Sequence, residues 1–251
     1  GYGADKLKIV VSSKLKAKAV LVTSLVLIFS VLATGVFYVW QKEAALIASL
    51  SGRTDYTVIV DAGHGGIDGG TQSADGVLEK DINLKIALKL RDILESFGIK
   101  TVMTRETDVS IHSDGVEGIR NQKVSDINNR YNIIESTPDA LFVSIHQNYF
   151  TQEKYSGAQV FYSGNNSESE KLALAIRSSI ILNQQKDNTR EIKKSGSEIF
   201  LLKKATVPAV MLECGFLSNP REAKLLQTEE YQYQIAFFTA LGIIDYINST
   251  E

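Results

Sequence analysis

The sequence is poor in the residues that build disulfides and thiolate sites, because it contains a single cysteine, Cys214. One cysteine excludes an internal disulfide, and without a CxxC pair the usual thiolate zinc and redox motifs are excluded as well. Proline (3 residues) and glycine (18) are too scarce for a fibrous or disordered chain of 251 residues. We therefore expect one globular domain with room for a short appendage.

Basic charge is also scarce after residue 53. Residues 1–53 carry seven Lys and Arg against two acidic residues, which leaves 20 basic and 27 acidic residues for the rest of the chain. A net charge near −7 on this part repels phosphate backbones, and no basic stripe is interleaved with aromatic residues. The sequence therefore argues against nucleic-acid binding.

One long hydrophobic run, Ala19–Trp40, contains 22 residues without a charge. At 1.5 Å per residue, a helix of this length covers the ~30 Å hydrocarbon core of a bilayer. Five lysines precede the run, so the positive-inside rule leaves the N-terminus in the cytoplasm and sends the rest of the chain across. We expect an uncleaved transmembrane anchor. A signal sequence processed near Ala44–Ser51 is the main alternative, and a buried core helix is a weaker one.

The anchor divides the chain into four predicted segments. They are a cytoplasmic basic segment (1–18), the transmembrane anchor (19–40), a linker (41–55) and a folded domain (56–251). The folded domain would then lie outside the cytoplasm, on the far side of the membrane.

Within the folded domain, short apolar runs rich in β-branched residues alternate with helical patterns. The predicted strands are Thr57–Asp61, Thr101–Thr104, Leu141–His146, Ala158–Tyr162 and Ala209–Glu213. The predicted helices are an amphipathic one over Ile82–Phe97, then Val124–Glu135, Glu168–Gln185 and Glu230–Ile247. This alternation predicts an α/β domain with a mainly parallel sheet, in which ligands bind beyond the carboxyl ends of the strands.

Three predicted strands lead into residues that can bind a metal or move protons. His64 follows the first strand in the glycine-rich stretch AGHGGIDGG, His146 ends the third strand, and Glu213 ends the fifth. Because parallel strands end at one edge of a sheet, these side chains should lie close together. Glu79 begins the first amphipathic helix and should lie near the same edge. Two imidazoles and a carboxylate, with a fourth position for water, are usual ligands of catalytic zinc.

The sequence therefore predicts one Zn²⁺ ion held by His64, Glu79 and His146. Such an ion lowers the pKa of bound water to about 7 and polarises a scissile carbonyl. Glu213 is the candidate that takes a proton from the attacking water and passes one to the leaving amine. The glycines around His64 permit positive φ angles and close approach of the backbone to a ligand.

Each of these residues also has an ordinary structural interpretation. A lone histidine is usually a hydrogen-bonded side chain, and Glu79 alone could complement the helix macrodipole. Glu213 alone could be a buried acid paired with an arginine such as Arg105, Arg130 or Arg190. The metal site is the stronger interpretation because all the candidates fall at the same predicted edge.

Four other residues attract attention for their chemistry or position. Cys214 follows Glu213 and should point to the opposite face of the strand, so it is predicted to be a small core residue. His112 lies in a polar stretch and is expected to be exposed to solvent. Gln147 and Asn148, just after His146, could contact the metal ligands or the substrate.

Six stretches, in this order and at these intervals, resemble the zinc-dependent N-acetylmuramoyl-L-alanine amidases of the amidase-3 type. They are IVDAGHGGIDGG, VLEKDINLKIALKL, MTRETD, LFVSIHQN, GAQVFY and PAVMLECGFLSNPREAKLL, and the match covers Thr57–Ile247. The resemblance implies a six-stranded α/β sheet, metal ligands at His64, Glu79 and His146, and a catalytic glutamate at Glu213. It also implies hydrolysis of the bond between the lactyl group of N-acetylmuramic acid and L-alanine in peptidoglycan, which makes 56–251 a zinc amidase domain.

Within that family, the sequence is similar to amidases that act on the spore cortex of endospore formers. The features are the N-terminal anchor, the absence of a wall-binding repeat, Gln147, and the stretches GIRNQKVSDINNR and DNTREIKKSGSEIFLLKK. The resemblance implies a place in the forespore envelope, where a partner deacetylase would continue the route to muramic-δ-lactam. An accessory envelope protein that aids metal or substrate binding is compatible with it. No motif predicts an oligomeric state.

Two other classes of function stay open at this point. In a dinucleotide-binding enzyme, Gly63, Gly65 and Gly69 would cradle the pyrophosphate, but their spacing is GxGxxxG instead of GxGxxG and the helix begins too far downstream. A non-catalytic, membrane-anchored module that binds the wall or scaffolds an envelope complex is the second. Such a module would be expected to lack a ligand or the acid, whereas this chain retains all four residues.

Overall fold

The structure, a computed structural model, describes Lys18, residues 20–38, Gln41 and residues 56–250. The rest of the predicted basic segment and linker lies outside the described residues, as do both ends of the predicted anchor. The chain forms two compact units, residues 1–49 and residues 50–251.

The first unit contains helix α1 (Val20–Tyr38), which is long and apolar enough to cross a membrane. It has 19 residues, its most apolar window of 18 residues has a mean hydropathy of 2.5, and none of these residues is buried inside the protein. Three of its hydroxyl groups donate to carbonyls of the preceding turn: Thr23 to Val20 at 2.9 Å, Ser30 to Val26 at 2.7 Å and Thr34 to Ser30 at 2.9 Å. These bonds satisfy polar groups that an apolar surrounding would leave without a partner. By length and composition, α1 fits the predicted anchor and also a signal sequence.

The second unit is built on a six-stranded sheet, as predicted. Its strands are β1 (Thr57–Ala62), β2 (Lys100–Met103), β3 (Ala140–Asn148), β4 (Gln159–Tyr162), β5 (Lys193–Lys194) and β6 (Ala209–Phe216). The spatial order is β2-β1-β3-β6-β4-β5, and only the pairing of β4 with β6 is antiparallel. The prediction of a mainly parallel α/β sheet is confirmed.

Helices cover both faces of this sheet. They are α2 (Glu79–Ser96), α3 (Ile119–Glu135), α4 (Glu168–Asn183), α5 (Phe200–Lys204), α6 (Pro220–Leu226) and α7 (Glu229–Ser249). Helices α2, α4 and α7 pack on one face around the larger apolar cluster, and α3 and α5 pack on the other face around the smaller one.

Strand β1 shows why the central strands are apolar at nearly every position. Val58 and Val60 belong to the larger cluster, whereas Ile59 between them packs with Ile134 and Phe142 in the smaller one. Successive side chains of a strand point to opposite faces, so burial on both faces requires continuous apolarity. Each fully buried aliphatic or aromatic side chain contributes about 1.5–3 kcal/mol.

His112 differs from its prediction, because it is half-buried and not fully exposed. Its Nδ1 lies 2.9 Å from the Ser110 hydroxyl. The neighbouring backbone is bonded to α3, since the Ile111 amide donates to Asp126 at 2.7 Å. The polar stretch is therefore folded against a helix, which its composition did not indicate.

Candidate active site

The structure brings the four predicted site residues to the carboxyl edge of the parallel strands. His64 lies two residues beyond β1, His146 is in β3, Glu213 is in β6, and Glu79 is the first residue of α2. His146 and Glu213 are directly paired on neighbouring parallel strands. Paired positions share a face of the sheet, so both side chains project to the same side.

Three of these residues converge tightly. One nitrogen from each of His64 and His146 and one oxygen of Glu79 lie within 4.8 Å of one another. His146 Nδ1 is 2.9 Å from one Glu79 oxygen, and His64 Nε2 is 3.3 Å from the other. The imidazole rings are 4.9 Å apart and nearly perpendicular. Each oxygen of the carboxylate thus faces one imidazole.

This group has the chemistry of a metal site. Imidazole nitrogen and carboxylate oxygen are the donors that first-row divalent cations select. Glu79 is only 4% exposed, and the backbone amides of Thr71 and Gln147 donate to its two oxygens at 2.9 and 3.0 Å. These bonds stabilise an ionised carboxylate and fix its position between the rings. The donors therefore fit a divalent cation.

The electrostatics favour a cation at this point. Burial alone would lower the pKa of His64 and raise that of Glu79, but their hydrogen bonds and mutual attraction outweigh burial. The pKa of His64 is raised to about 9, with Asp68 contributing, and the pKa of Glu79 is held well below its usual range. The site keeps the Glu79 carboxylate charged and favours positive charge beside it at His64, and a metal ion could supply such a charge.

His64 is oriented by Asp68, a residue that the sequence analysis missed. Asp68 Oδ2 is 2.9 Å from His64 Nδ1, which leaves Nε2 directed towards Glu79. Lys123 Nζ, at 2.7 Å, and the Gly70 amide, at 3.3 Å, hold the other Asp68 oxygen. A carboxylate behind a ligating histidine fixes its tautomer and ring plane. The position of Asp68 four residues after His64, in the same loop, was the available signal.

The Arg130 side chain holds the backbone around His64 in place through hydrogen bonds. Its guanidinium donates to Asp61, to the Ala62 carbonyl at 2.9 Å, and to the His64 carbonyl at 2.7 Å, while Asp126 accepts from Nε at 2.7 Å. Arg130 and Asp61 are almost fully buried. Breaking such a pair by removing one partner typically costs about 3–5 kcal/mol. The loop that carries His64 is therefore held rigidly.

Arg105 supports the same loop from a different direction. It donates to the Ala62 carbonyl at 2.9 Å, the Gly63 carbonyl at 3.1 Å and the Lys80 carbonyl at 2.8 Å. The two arginines thus serve backbone carbonyls, and in the described part of the chain neither is bonded to Glu213. The interpretation of Glu213 as an ion-paired acid is wrong for Arg105 and Arg130.

Two glycines of the loop are required by close packing. A Cβ at Gly63 would overlap the imidazole of His146. Gly70 has a φ of 68°, and a Cβ there would lie 2.5 Å from Glu79 Oε2 and 2.7 Å from His64 Cδ2. The glycine-rich stretch therefore serves the packing of the three converging side chains.

Glu213 differs from Glu79 and Asp68, whose carboxylates are both held by hydrogen bonds. Its Oε2 atom is buried and has no hydrogen-bond partner among the described residues. Burial raises the pKa of Glu213 to about 7, and the charge of Glu79 adds to the shift, although His146 and His64 oppose it. A carboxyl group that titrates near neutral pH can both accept and donate a proton.

Residues next to the three converging side chains complete the environment. Gln147 contacts the site, as anticipated. Its backbone amide donates to Glu79, and its side-chain amide donates to Asn83 Oδ1 at 3.1 Å. Asn83, which the sequence analysis missed, donates in turn to the Gly63 carbonyl at 3.1 Å. Cys214 is fully buried, and burial raises the pKa of its thiol, so it is the inert core residue predicted.

A cleft of about 360 Å³ opens beside the imidazoles. The charged residues that line it include Asp68, Lys123 and Arg130, and the apolar residues include Phe200 and Met211. The cleft is large enough for part of a polymeric substrate and leads directly to the converging donors.

A mainly parallel sheet that presents these donors at its carboxyl edge, beside an open cleft, defines an α/β protein with a candidate metallohydrolase site. The model of the Amidase_3 family, N-acetylmuramoyl-L-alanine amidase, matches residues 58–245. The chain belongs to this family, and its relatives support amidase action on peptidoglycan.

Individual relatives agree with this assignment. The chain is 39% identical over 197 residues to the germination-specific N-acetylmuramoyl-L-alanine amidase of Bacillus subtilis, covering 78% of this chain and 81% of that protein. Among solved structures, the Clostridioides difficile CwlD amidase in complex with the GerS lipoprotein is 43% identical, with a TM-score of 0.74 over 77% of this chain and 98% of that one. The AmiC2 amidase of Nostoc punctiforme is 30% identical, with a TM-score of 0.65 over 77% and 98%. The predicted family and fold are confirmed.

Proposed function

We propose that this chain is a zinc-dependent amidase that hydrolyses the bond between the lactyl group of N-acetylmuramic acid and L-alanine in peptidoglycan. The convergence of donor atoms from His64, Glu79 and His146 within 4.8 Å, on the edge that also carries Glu213, supports the proposal most strongly. These three residues hold a single Zn²⁺ ion, and Glu213 is the general acid and base.

In this mechanism each group of the chain has a distinct task. When bound, zinc polarises the scissile carbonyl and lowers the pKa of a coordinated water. Glu213 takes the proton of the attacking water on its free oxygen and then delivers a proton to the amine of L-alanine. Asp68 keeps the His64 imidazole oriented, and the backbone bonds to Glu79 keep its carboxylate between the rings.

We further propose that the domain of residues 56–251 acts outside the cytoplasm. Helix α1, within the segment 19–40, anchors it to the membrane, with 1–18 on the cytoplasmic side and 41–55 as the linker. The charge-free run and the preceding lysines support this arrangement.

The physiological role that we propose is in the spore cortex, within the forespore envelope. The similarity to a germination-specific amidase and to the CwlD amidase supports it. Removal of the stem peptide would prepare N-acetylmuramic acid for conversion to muramic-δ-lactam. Because the C. difficile CwlD structure is a complex with a lipoprotein, we also propose an accessory envelope protein as a partner.

Digestion of purified peptidoglycan tests the proposal directly. The zinc-loaded full chain, in detergent, should release free stem peptides that begin with an L-alanine amine, identified by mass spectrometry. A chelator should abolish their release, and added zinc should restore it. Release of glycan fragments with intact stems, or cleavage that a chelator leaves unchanged, would contradict the proposed reaction.

A further inference from the structure

A second cleft, of about 550 Å³, lies beyond the catalytic edge between the end of α4, the start of α6 and the loop before β4. We call it the basic cleft, because four cationic side chains line it: Lys154, Lys186, Arg190 and Arg221. Such a concentration of positive charge is unusual in a domain whose net charge is near −7. The positive charge of the basic cleft therefore favours binding of an anionic ligand.

Arg190 is already held in a binding orientation. Its Nε donates to the Ser156 carbonyl at 2.8 Å, and its Nη1 donates to Gln159 Oε1 at 3.1 Å. The guanidinium stacks 4.5 Å above the centre of the Phe216 ring, with Tyr155 at 5.8 Å. These contacts use two of the five N–H donors, and Nη2 has no partner in the described part of the chain. A fixed guanidinium with free donors suits a carboxylate.

The acidic residues of the cleft offset this charge only in part, through the attraction of Glu222 to Arg190 and Arg221. Glu222 is largely buried, and its two oxygens accept hydrogen bonds at 2.8 Å from the backbone amides of Gly157 and Phe216. Among the described residues it forms no ion pair with any of the four cations. Asp187 is exposed at the rim. The cationic groups are thus available to a ligand.

The basic cleft is within reach of the reacting bond. Gln159, which Arg190 contacts, is directly paired with Glu213 across β4 and β6. Phe216, under the guanidinium, follows Glu213 by three residues, on the order of 10 Å along the strand. An extended peptide covers this distance in about three residues.

We infer that the basic cleft binds the carboxylates of the stem peptide, on the amine side of the scissile bond. The inference rests on the proposed amidase function and specifies how the two sides of the substrate are distinguished. The N-acetylated sugar and its amide-linked lactyl group are uncharged, whereas a stem peptide with acidic residues is anionic. Charge complementarity therefore directs the peptide side of the substrate towards Arg190.

A matched pair of substrates tests this inference. One is an N-acetylmuramoyl tripeptide whose second and third residues carry free carboxylates, and the other carries amides at those positions. The zinc-loaded full chain should prefer the free carboxylates by about tenfold in kcat/KM, since charge-assisted bonds are lost with the amide. Arg190→Gln should reduce this preference to below about threefold. Arg91→Gln removes an equal charge on α2, away from the cleft, and should keep the preference.

Arg190 also joins two loops through a hydrogen bond to the Ser156 carbonyl, so its substitution can disturb the fold. A second variant therefore separates the loss of charge from misfolding. Lys186 and Arg221 are exposed, so the double substitution Lys186→Gln/Arg221→Gln removes charge from the rim without breaking a side-chain bond to the described residues. It should lower the preference severalfold. Calorimetry on the metal-free chain should show that the same variants weaken binding of the free tripeptide stem by about tenfold.

The outcomes separate the two proposals. Equal kcat/KM on both substrates in the unaltered chain would overturn the inference, leave the amidase function intact and favour an acidic protein as the occupant. An undiminished preference in both variants would overturn it too. Failure to cleave either substrate with zinc present would count against the proposed function, whereas peptide binding in calorimetry would still stand as evidence for the cleft.

Discussion

Glu213 and Glu79 show how one residue type can have two opposite environments at neighbouring positions. Glu79 lies between two imidazoles, accepts backbone hydrogen bonds and stays ionised. Glu213, on the adjacent strand, has a buried oxygen without a partner and titrates near pH 7. Two carboxyl groups whose surroundings drive their pKa values apart are typical of a division between ligand and proton carrier.

Substitution Glu213→Gln should separate metal binding from turnover. The amide has nearly the same shape and the three ligands are untouched, so zinc stoichiometry should stay at one ion per chain. Turnover of peptidoglycan should fall by about 10²–10⁴-fold, because the amide cannot carry the proton. Glu117→Gln, which removes the same charge from an exposed position, should behave like the unaltered chain. Near-normal turnover in Glu213→Gln would refute its acid and base role.

Asp68→Asn tests the orientation of His64. An amide can still occupy the site, but it lacks the charge that favours the Nδ1 proton and attracts Lys123. Zinc affinity, measured by competition with a chelator, should fall about 10–100-fold. The free energy of unfolding without metal should change little, and Asp92→Asn on the exposed side of α2 should alter neither quantity. Unchanged zinc affinity would show that Asp68 is only a structural surface residue.

At the residue scale, the sequence singled out the candidate site residues more readily than the side chains that hold them in place. His64, His146 and Glu213 could be found because their types are rare or ionisable and fall at the ends of apolar runs. Apart from the Arg130–Asp126 pair on α3, Arg105 and Arg130 hold the loop by bonds to backbone carbonyls and to an acid distant along the chain, so this role could not be assigned. Such bonds leave no local pattern.

Among the elements, the connection from β1 to α2 is the most constrained. It carries His64 at one end and leads to Glu79 at the other, and Gly70 lies where the two side chains meet. Because Gly70 has a positive φ, an alanine there has both a strained backbone and a steric overlap.

Gly70→Ala can be compared with Gly115→Ala to separate these effects. Gly115 also has a positive φ, of 76°, but nothing lies within 4 Å of a Cβ there. Both variants should lose about 1–2 kcal/mol of unfolding free energy through backbone strain. Only Gly70→Ala should also weaken zinc binding, by at least about tenfold, since the methyl group displaces Glu79 or His64. Equal zinc affinity in the two variants would contradict the packing argument.

Predictions at the level of elements succeeded where a periodic pattern was long enough. The five longest strands and four long helices were found, with ends that coincide or differ by at most five residues. Strand β5 has two residues, and helices α5 and α6 have five and seven, too few for a hydrophobic period to show. Strand β3 extends to Asn148 through polar residues that the sheet edge tolerates, so an apolar pattern stopped short of it.

For the molecule as a whole, zinc should be a source of stability. A ligand that binds only the folded state stabilises it by about 2.7 kcal/mol at a concentration 100 times its Kd. Thermal unfolding of the full chain in detergent should therefore shift upwards with zinc and return with a chelator. His146→Ala should lose the shift, because two remaining ligands hold the ion poorly. Glu213→Gln should retain it, and an equal shift in both variants would exclude His146 as a ligand.

Much of the fold could be predicted from the sequence, because one rule of sheet topology governs it. Alternating strands and helices imply a parallel sheet, and a parallel sheet gathers the ends of its strands. The reversal of β4 was not predicted, since the pairing direction of a short apolar run depends on loops and neighbours outside it.

That reversed strand has a consequence for how such enzymes diversify. Because β4 runs opposite to β6, the connection that enters β4 opens at the reacting edge, next to the segment that follows α4. Neither connection contains His64, Glu79 or His146. Insertions and deletions there can retune substrate choice over evolutionary time while the inherited reaction chemistry is left untouched.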